Sequence, residues 1–341
     1  MKKTFFISVI LLFALLTGCA HNSNSPAKDP SPVSDFQYET NEESGITITD
    51  YLGTDTDIVI PAEIDGKTVT QIGPEAFAYN EDIVSVKMPD SITAIKYEAF
   101  YACTSLFSVS LSPNLESIED AAFSCCARLS DIKLPPSLNY IGYSVFMNCT
   151  ELSKIVLPEA LTYLGVQSFQ GCTSLKYIKI PAKITEIDFA TFKDSGLEIL
   201  ELEDGLEKIG REAFKNTKIK TVILPKTITE LGDSAFYNCT SLESIALNEG
   251  LSTISDGALG GQSKLMEITI PASVAKMSEG AFWNCTTLKA VKFEGNAPED
   301  YRTDLIYAGG PEQNFSYTVY YHRGAIGFTS PEWYGYLTEN W

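Results

Sequence analysis

Six cysteines of this 341-residue chain recur at one position of a repeated sequence pattern. They are Cys103, Cys126, Cys149, Cys172, Cys239 and Cys285. Thiols on successive coils, roughly 5 Å apart, could form disulfides or hold a metal. Cysteine is also among the most buried residue types, and Asn80 and Gln262 occupy the same position in other copies. The column therefore favours buried free thiols over disulfides and, more strongly, over a metal site. Cys125 lies off the column and is the thiol to test for reactivity.

Other residues that could do chemistry are few or scattered. The chain has two histidines, so a Ser-His-Asp or Cys-His arrangement would depend on His322, because His21 lies near the start of the chain. Asp55 and Asp57 lack the glycine and distal glutamate of a calcium-binding loop, which favours a polar turn. Acidic residues are plentiful but no motif gathers them, so a carboxylate-pair hydrolase is a less favoured alternative. We expect no enzymatic activity, no cofactor and no metal.

The cysteine column belongs to a 22–23-residue unit that occurs ten times between Thr70 and Glu294. Its consensus is I-G-x-x-A-F-x-x-C-x-x-L-x-x-V-x-L-P. The aromatic position of the ten units is held by Phe77, Phe100, Phe123, Phe146, Phe169, Phe192, Phe214, Phe236, Leu259 and Phe282. A period in the twenties with L-x-x-L-x-L inside it is typical of a leucine-rich repeat solenoid. A single unit cannot bury its apolar residues, so neighbouring coils must stack into one core.

Each unit contains the signals of a short coil with little helix. The L-x-x-V-x-L stretch alternates apolar and variable positions, which predicts a strand with one face inward. A proline ends six of these strands because it cannot donate a backbone hydrogen bond. The I-G-x-x-A-F segment turns the corner, and an apolar pair before it predicts a second inward edge. Units six and seven are one residue shorter between the Phe and the next Leu or Ile.

The N-terminus carries an export signal. Residues 1–18 contain two lysines and an apolar run, and they read as a signal peptide too short to span a membrane. The run Leu16-Thr17-Gly18-Cys19 resembles the lipobox of bacterial lipoproteins, which implies lipidation of Cys19 and anchoring by acyl chains. Residues 19–35, rich in Pro and Ser, predict a flexible tether. The net charge of −19 argues against nucleic acid or an anionic membrane face as partner.

Two further segments flank the repeats. Residues 36–69 alternate apolar and polar positions and contain the turn signal Asp65-Gly66, which predicts a β-rich N-terminal cap. Residues 295–341 are rich in aromatic residues and predict a C-terminal cap. Within it, Thr318 to Tyr321 predicts a last strand, and Trp333 is expected to shield Phe282 and Leu288. The repeats themselves are assigned to residues 70–294.

The repeated unit resembles the BspA-type leucine-rich repeat of bacterial surface proteins. The resemblance is strongest from Gln71 to Phe293 and extends through Tyr320-Tyr321 and Trp333. It implies adhesion, since founding members of that family bind host matrix proteins and other bacteria. The family has no shared ligand motif, so the resemblance assigns no binding residue, and a fold by itself does not specify a function.

The outward positions of the strands indicate a candidate ligand-binding face. Residues on either side of the central Val point away from the core. Units four to seven place apolar side chains there, beside lysines, and two tyrosines occupy the outward position of the second apolar pair. An exposed apolar patch with aromatic and cationic neighbours is typical of a protein-binding site, although β-propensity alone also favours Val, Ile and Tyr in strands. The candidates are Lys133, Tyr140, Lys154, Val156, Tyr163, Tyr177, Lys179, Ile199 and Ile223.

These observations predict a surface-exposed lipoprotein that binds a protein or glycan of a host or neighbouring cell, as an adhesin. The protein is expected to be monomeric, with weak self-association through the patch or an end coil as an alternative. It would contact the membrane only through its N-terminal lipid, on the cell membrane or the outer membrane. A second alternative is a scaffold lipoprotein that faces the periplasm, and a third, less favoured, is a carbohydrate-processing enzyme or accessory.

Overall fold

The computed structural model describes residues 28–278, 280–298, 318–333 and 336–341. The predicted signal segment, residues 1–18, and Cys19 lie outside the described residues. The described chain winds into a β-solenoid of about 12 turns with almost no helix, as the repeat predicted. Within the described part, no helix has the length and apolarity needed to cross a membrane.

The first sheet is formed by the strands centred on the Val of each unit. Its strands are β3 (Asp57–Val59), β6 (Ser85–Lys87), β8 (Ser108–Ser110), β10 (Asp131–Ile132), β13 (Tyr177–Ile180), β15 (Ile199–Leu202), β17 (Thr221–Ile223), β19 (Ser244–Ala246), β21 (Glu267–Ile270) and β23 (Ala290–Phe293). Paired strands are parallel and in register, so Tyr177 lies opposite Ile199. Equivalent positions of successive units therefore form straight columns. Hydrogen-bonded pairing divides this sheet into four segments, β3 to β10, β13 with β15, β17 with β19, and β21 onward.

The prediction of a strand in unit four is wrong. Residues 152–158 form no strand, although Ile155 and Leu157 point inward and are buried like their counterparts. The apolar side chains are thus placed by the core, whereas a strand also requires backbone pairing with at least one neighbouring coil. The first sheet is interrupted here between β10 and β13.

The second sheet is formed by the apolar pair before each I-G turn. Its strands are β2 (Ile46–Tyr51), β5 (Lys67–Ile72), β7 (Ala94–Ile95), β9 (Ser117–Ile118), β11 (Tyr140–Ile141), β12 (Tyr163–Leu164), β14 (Glu186–Ile187), β16 (Lys208–Ile209), β18 (Glu230–Leu231), β20 (Thr253–Ile254) and β22 (Lys276–Met277). Pairing divides this sheet once, between β12 and β14. The predicted second inward edge of each coil is therefore present.

A stack of phenylalanines fills the corner that joins the second sheet to the first. From Phe77 to Phe236, adjacent rings lie 4.8–5.7 Å apart between centroids and nearly parallel. The backbone N–H of each Phe donates to the next coil, as from Phe77 to the Ala99 carbonyl (2.8 Å). Unlike the two sheets, this ladder continues without a break from Phe77 to Leu259, whose N–H donates to Ala281.

The corner turns require left-handed backbone two residues after each Phe position. The residues with positive φ there are Tyr79, Ala102, Cys125, Asn148, Gly171, Asp194, Asn216, Asn238, Gly261 and Asn284. Asn, Asp and Gly tolerate this conformation best, and they hold the position from unit four onward. The Asn-Cys-Thr sequences, which match a glycosylation pattern, therefore have a conformational cause.

The segment predicted as an N-terminal cap contains a further coil. β2 and β3 pair in parallel with the strands of the first repeat, β5 and β6. β1 (Phe36–Thr40) pairs antiparallel with β2, and β4 (Glu63–Ile64) pairs antiparallel with β5. The predicted turn at Asp65-Gly66 joins β4 to β5, with φ of 52° and 72°.

The tether was predicted to extend to residue 35, but its described end contacts the solenoid. Ser31 is buried, its N–H donates to the Val59 carbonyl (2.8 Å), and its Oγ accepts from the Val59 N–H (3.2 Å). Val33–Asp35 forms a 3-10 helix. Because β3 is the edge strand of its sheet segment, this contact satisfies backbone groups that the edge would otherwise expose.

At the other end, the predicted strand is present but is not the last. β24 (Thr318–Tyr321) pairs in parallel with β23, and β25 (Glu332–Trp333) and β26 (Tyr336–Asn340) follow. Phe282 and Leu288 are buried. The Trp333 side chain, which was expected to shield them, lies outside the described residues.

Candidate functional site

The cysteine column is a series of buried hydrogen-bond donors. The Sγ of each column cysteine lies 3.0–3.2 Å from the backbone carbonyl at the Phe position of the preceding coil. Burial raises the pKa of Cys172, Cys239 and Cys285 to about 12. Such thiols are poor nucleophiles and poor metal ligands, because both roles need the thiolate. All seven cysteines in the described part of the chain are free thiols.

Other side chains with hydrogen-bonding groups occupy the same column elsewhere. In unit nine the Gln262 amide Nε2 donates to the Phe236 carbonyl (2.7 Å), as a thiol does in its neighbours. In the two shortened units the column holds Ser195 and Thr217, which sequence reasoning missed because the loss of one residue hides the spacing. The Thr217 hydroxyl donates to the carbonyl of Phe214 in its own coil (2.9 Å). Most members of the column therefore donate to a buried backbone carbonyl, whereas the buried Ser195 hydroxyl has no hydrogen-bond partner among the described residues.

Cys125 differs from the column thiols in exposure and contacts. It is only half-buried, lies at the corner with φ of 62°, and has the Asn148 amide 3.9 Å from its Sγ. The electrostatic interaction with Cys125 is the largest of the effects that raise the pKa of Tyr101. It is therefore the described thiol that solvent reagents reach most readily.

The remaining residues considered for chemistry have structural contacts. The His322 ring stacks against Trp341, with centroids 4.0 Å apart. Asp55 forms an ion pair with Lys28 (3.1 Å), and an Asp57 carboxylate oxygen accepts from the Ser85 hydroxyl. In the described residues, no three His, Cys, Asp or Glu side chains group as metal ligands would.

The outer face of the first sheet carries large apolar side chains in contact with water. Val156, Tyr177, Ile199 and Ile223, here called the apolar patch, are 65%, 40%, 55% and 76% exposed. Strand alternation places Tyr177, Ile199 and Ile223 outward, because the intervening residues, such as Ile178 and Val222, fill the core. Val156 lies outward between the buried Ile155 and Leu157, although unit four forms no strand. The predicted exposure of this face is therefore present.

Charged and polar contacts interleave with the patch. The Tyr177 hydroxyl donates to Glu201 (2.9 Å), and burial together with this bond raises the pKa of Tyr177. The Lys179 ammonium pairs with Glu203 (2.7 Å) and Glu159 (3.3 Å), and these hydrogen bonds raise the pKa of Lys179. These contacts fix the polar groups around Ile199. The apolar side chains of the patch are consequently surrounded by polar groups that hydrogen bonds and ion pairs hold in place.

The candidates on this sheet fall into two parallel columns. Tyr177 and Ile199 are adjacent in the column before the central residue, with Lys154 one coil earlier. Lys133, Val156, Lys179 and Ile223 share the column after it. The structure thus brings seven of the nine candidates onto one face. Neither Lys133 nor Lys154 has an ion-pair partner among the described residues.

The other two candidates lie on the second sheet. Tyr140 and Tyr163 are opposite each other in β11 and β12, and their rings stack with centroids 4.9 Å apart. Tyr143, which sequence reasoning missed, is exposed and tilted against Tyr163 at 6.3 Å. Burial and a hydrogen bond to Tyr143 raise the pKa of Tyr163. The sequence signal for Tyr143 was its position three residues before the Phe of its unit. The same position holds Tyr97 two units earlier.

Comparison with known proteins agrees with this architecture. A family model described as a BspA type leucine rich repeat region matches residues 70–198 and 185–299. No curated protein matches the chain. The leucine-rich repeat protein of T. pallidum is 28% identical with a TM-score of 0.52, covering 63% of this chain and 91% of that chain. Pneumococcal vaccine antigen PcpA is 21% identical with a TM-score of 0.54, covering 85% and 92%. A leucine rich cell surface protein of Faecalibacterium prausnitzii is 23% identical with a TM-score of 0.49, covering 88% and 96%.

The family model spans the ten predicted units and covers more than half of the chain. Its match coincides with the stacked coils, the Phe corner and the thiol column that the structure shows. The sequence prediction of the family is therefore confirmed. The chain belongs to the BspA-type leucine-rich repeat proteins.

Proposed function

We propose that this chain is a surface-exposed, lipid-anchored protein that binds a protein of a host or neighbouring cell, as an adhesin, through the apolar patch. The observation that carries the proposal is the exposure of Ile199 and Ile223 on a regular sheet whose other outward positions are mostly small or polar. Family membership supports it, because binding by an extended repeat surface is the activity that the resemblance implied.

The physical argument for binding is the gain from removing the patch from water. Full burial of an exposed aliphatic side chain contributes about 1.5–3 kcal/mol. Three of the four patch side chains, Val156, Ile199 and Ile223, are β-branched and restricted at χ1, so little side-chain entropy is lost when a partner orders them. Around it, the Lys179 pairs and the Tyr177–Glu201 bond form a polar rim of the kind that surrounds binding hot spots.

The anchor is argued from the sequence around Cys19. Acyl chains on a single cysteine give firm membrane attachment, since each buried methylene contributes about 0.8 kcal/mol. Metabolic labelling with an alkyne fatty acid would detect the modification directly. A protein that takes up label as wild type but loses it in Cys19→Ala carries its lipid at that residue, and absence of label in the wild type would remove the anchor from the proposal.

Location is tested by protease treatment of intact cells with antibody detection of the solenoid and of a cytoplasmic protein. Loss of the solenoid while the cytoplasmic protein survives supports an adhesin. Resistance until the envelope is broken contradicts surface exposure and favours the scaffold that faces the periplasm.

Binding is tested with the double variant Ile199→Glu/Ile223→Glu in a screen of immobilised matrix proteins. Both side chains are outside the core, so folding is retained, while a ligand that buries the patch is lost. The matched control is Leu52→Glu/Ile326→Glu, which adds the same charge at side chains that are 57% and 69% exposed elsewhere. A ligand that binds both double variants as well as wild type does not use the patch.

A further inference from the structure

A polar hollow lies on the first sheet, toward its N-terminal end, and its residue Lys133 is one coil away from Val156 of the apolar patch. Four strands, β3, β6, β8 and β10, form its floor. Serines hold three of the outward positions there, and the longer side chains of Lys28, Lys87 and Lys133 enclose a depression around them. Its polar lining residues are Lys28, Asp57, Ser85, Lys87, Ser108, Ser110, Asp131 and Lys133.

Two lysines in this hollow are free to bind an anion. Lys87 lies opposite Ser110 in the paired strands, and Lys133 follows in the same column one coil further. Since strands are about 4.8 Å apart, the lysine backbones are roughly 10 Å apart, with Ser110 between them. Neither ammonium has an ion-pair partner in the described part of the chain. Most other outward lysines of this face are paired, as Lys179 and Lys292 are.

Hydroxyl and carboxylate groups complete the lining. The side chains of Ser108 and Ser110 have no hydrogen-bond partner among the described residues, so each hydroxyl can donate and accept. Asp131 is exposed beside Lys133 and forms no ion pair with a described residue. Asp57 is engaged by the Ser85 hydroxyl. The hollow thus offers two ammonium groups that can bind a carboxylate of a ligand. Its serine hydroxyls and the Asp131 carboxylate can accept hydrogen bonds from hydroxyl groups of the same ligand.

This set of groups favours one class of ligand. A polyanion such as a sulfated glycan is repelled by the net charge of −19 and by Asp57 and Asp131. An acidic peptide would meet the same carboxylates and would leave them without donors. A sugar with a single carboxylate satisfies both the lysines and the acceptor groups. Its hydroxyls donate to Asp131, while its carboxylate lies near the two ammonium groups.

We propose that the hollow between Lys87 and Lys133 binds a terminal acidic sugar of the sialic or uronic acid class. Lys87 and Lys133 hold the carboxylate, and Ser108, Ser110 and Asp131 bind the ring or side-chain hydroxyls. The proposal relies on the proposed location outside the cell, where such sugars are displayed. It does not depend on the apolar patch, which is a separate contact on the same sheet.

The test is a titration of the full chain with 3′-sialyllactose and with a glucuronic acid disaccharide, followed by saturation-transfer NMR and calorimetry. Lactose is the neutral counterpart. We expect one of the acidic sugars to bind about tenfold more tightly than lactose, because charge-assisted hydrogen bonds are roughly twice as strong as neutral ones. Equal binding of lactose, or no binding of either acidic sugar, overturns the proposal, as does a glutamate hexapeptide that competes for the site.

The residues are tested with Lys87→Gln/Lys133→Gln, which should weaken binding of the acidic sugar about tenfold. The control Lys183→Gln/Lys276→Gln makes the same change of net charge at exposed lysines outside the hollow, and it should bind as wild type. If both double variants weaken equally, the effect is one of net charge and the site is refuted. Ser108→Ala/Ser110→Ala should also weaken binding, and retained affinity contradicts the assigned hydroxyl contacts.

The variant Ile199→Glu/Ile223→Glu separates this proposal from the proposed function. It should lose the protein ligand and keep the acidic sugar. Loss of sugar binding in that variant would show that the hollow is not an independent site. Retention of the sugar with an unchanged protein ligand would contradict only the role of the apolar patch.

Discussion

The thiol of Cys149 donates to the backbone carbonyl of Phe123, with 3.2 Å between sulfur and oxygen, across two neighbouring coils. The Phe123 N–H donates in the opposite direction, to the Val145 carbonyl of the next coil (3.0 Å). The same two bonds to the following coil, one through the N–H and one through the carbonyl, are made by Phe77, Phe100, Phe146, Phe214 and Phe236. The column of thiols and the stack of rings are therefore linked, because a thiol of one unit donates a hydrogen bond to the backbone carbonyl of a stacked Phe in the preceding unit.

Removal of the donor at this contact should lower stability. Cys149→Val keeps an apolar side chain of similar size and leaves the Phe123 carbonyl with one donor, the Cys126 N–H (3.2 Å). Loss of the thiol hydrogen bond should cost about 0.5–1.5 kcal/mol. Cys149→Ser retains a donor and should lose less. Urea unfolding of the two variants measures the difference. A Val variant as stable as wild type would mean that the thiol contributes only by packing.

Reactivity of the thiols should follow their burial. In native protein at pH 8, iodoacetamide should modify Cys125 and spare the six column cysteines, because the reagent cannot reach their buried thiols. Peptide mapping by mass spectrometry assigns the modified residues and separates them from Cys19. Modification of the column before Cys125 would contradict the structure, and full modification in urea serves as the positive control.

Stability should fall in alkaline solution for the same reason. Burial raises the pKa of Cys172, Cys239 and Cys285 to about 12 in the folded state, above the ordinary value of about 8.5. Below about pH 8.5 these thiols are neutral in both the folded and the unfolded state, so their ionisation does not change the free energy of unfolding. Above it only the unfolded chain ionises, so the free energy of unfolding decreases as the pH rises toward about 12.

Urea unfolding at pH 8 and pH 10.5 measures this decrease. Because tyrosines and lysines also titrate in that range, the informative quantity is the difference between wild type and Cys172→Ser/Cys239→Ser. The decrease should be smaller in the double variant. An equal decrease in both proteins would assign the alkaline instability to other groups.

The backbone at Cys125 is a site where stability can be gained. A residue other than Gly, Asn or Asp in the left-handed region costs about 1–2 kcal/mol. Later units hold Asn here, and their amides form a ladder, as from Asn238 to the Asn216 side chain (2.8 Å). Cys125→Asn should therefore raise the free energy of unfolding by about 0.5–1 kcal/mol. Asn148→Ala should lower it by a similar amount, and no change in either variant would argue against strain at this turn.

The ring stack should tolerate leucine better than alanine. Phe169→Ala removes a fully buried ring between Phe146 and Phe192 and should cost about 3–5 kcal/mol. Phe169→Leu should cost about 1–2 kcal/mol, since Leu259 is accommodated at the same position of unit nine. Urea unfolding provides the values, and similar losses for the two variants would contradict a role for side-chain volume.

Sequence periodicity determined most of the architecture and part of the candidate site. The Phe positions, the two inward edges and the outward Ile199 and Ile223 follow from spacing alone, because every coil repeats the same geometry. The missing strand in unit four does not, since Ile155 and Leu157 match the pattern and only pairing with neighbouring coils distinguishes them. The donor role of the cysteines was also missed, because it depends on the backbone carbonyl of another coil.

Contacts between units explain the other differences. Tyr140 and Tyr163 were grouped with Tyr177, although the sequence repeat places them on the second sheet. Residues 28–35 read as a tether by composition, but the edge of β3 offers the backbone groups of Val59 as partners for Ser31. The hollow escaped notice because it is made by small side chains such as Ser110, which attract no attention singly.

The uneven pairing of the coils has a mechanical consequence. Both sheets are divided into segments, whereas the Phe corner is bonded from coil to coil without a break from Phe77 to Leu259. Under tension along the solenoid axis, the sheets should separate first at their divisions. The continuous backbone hydrogen bonds of the Phe corner should keep the coils connected. The molecule would then lengthen in small reversible steps before it unfolds. Optical-trap extension of the chain should show those steps, and a single abrupt rupture would exclude this elastic behaviour.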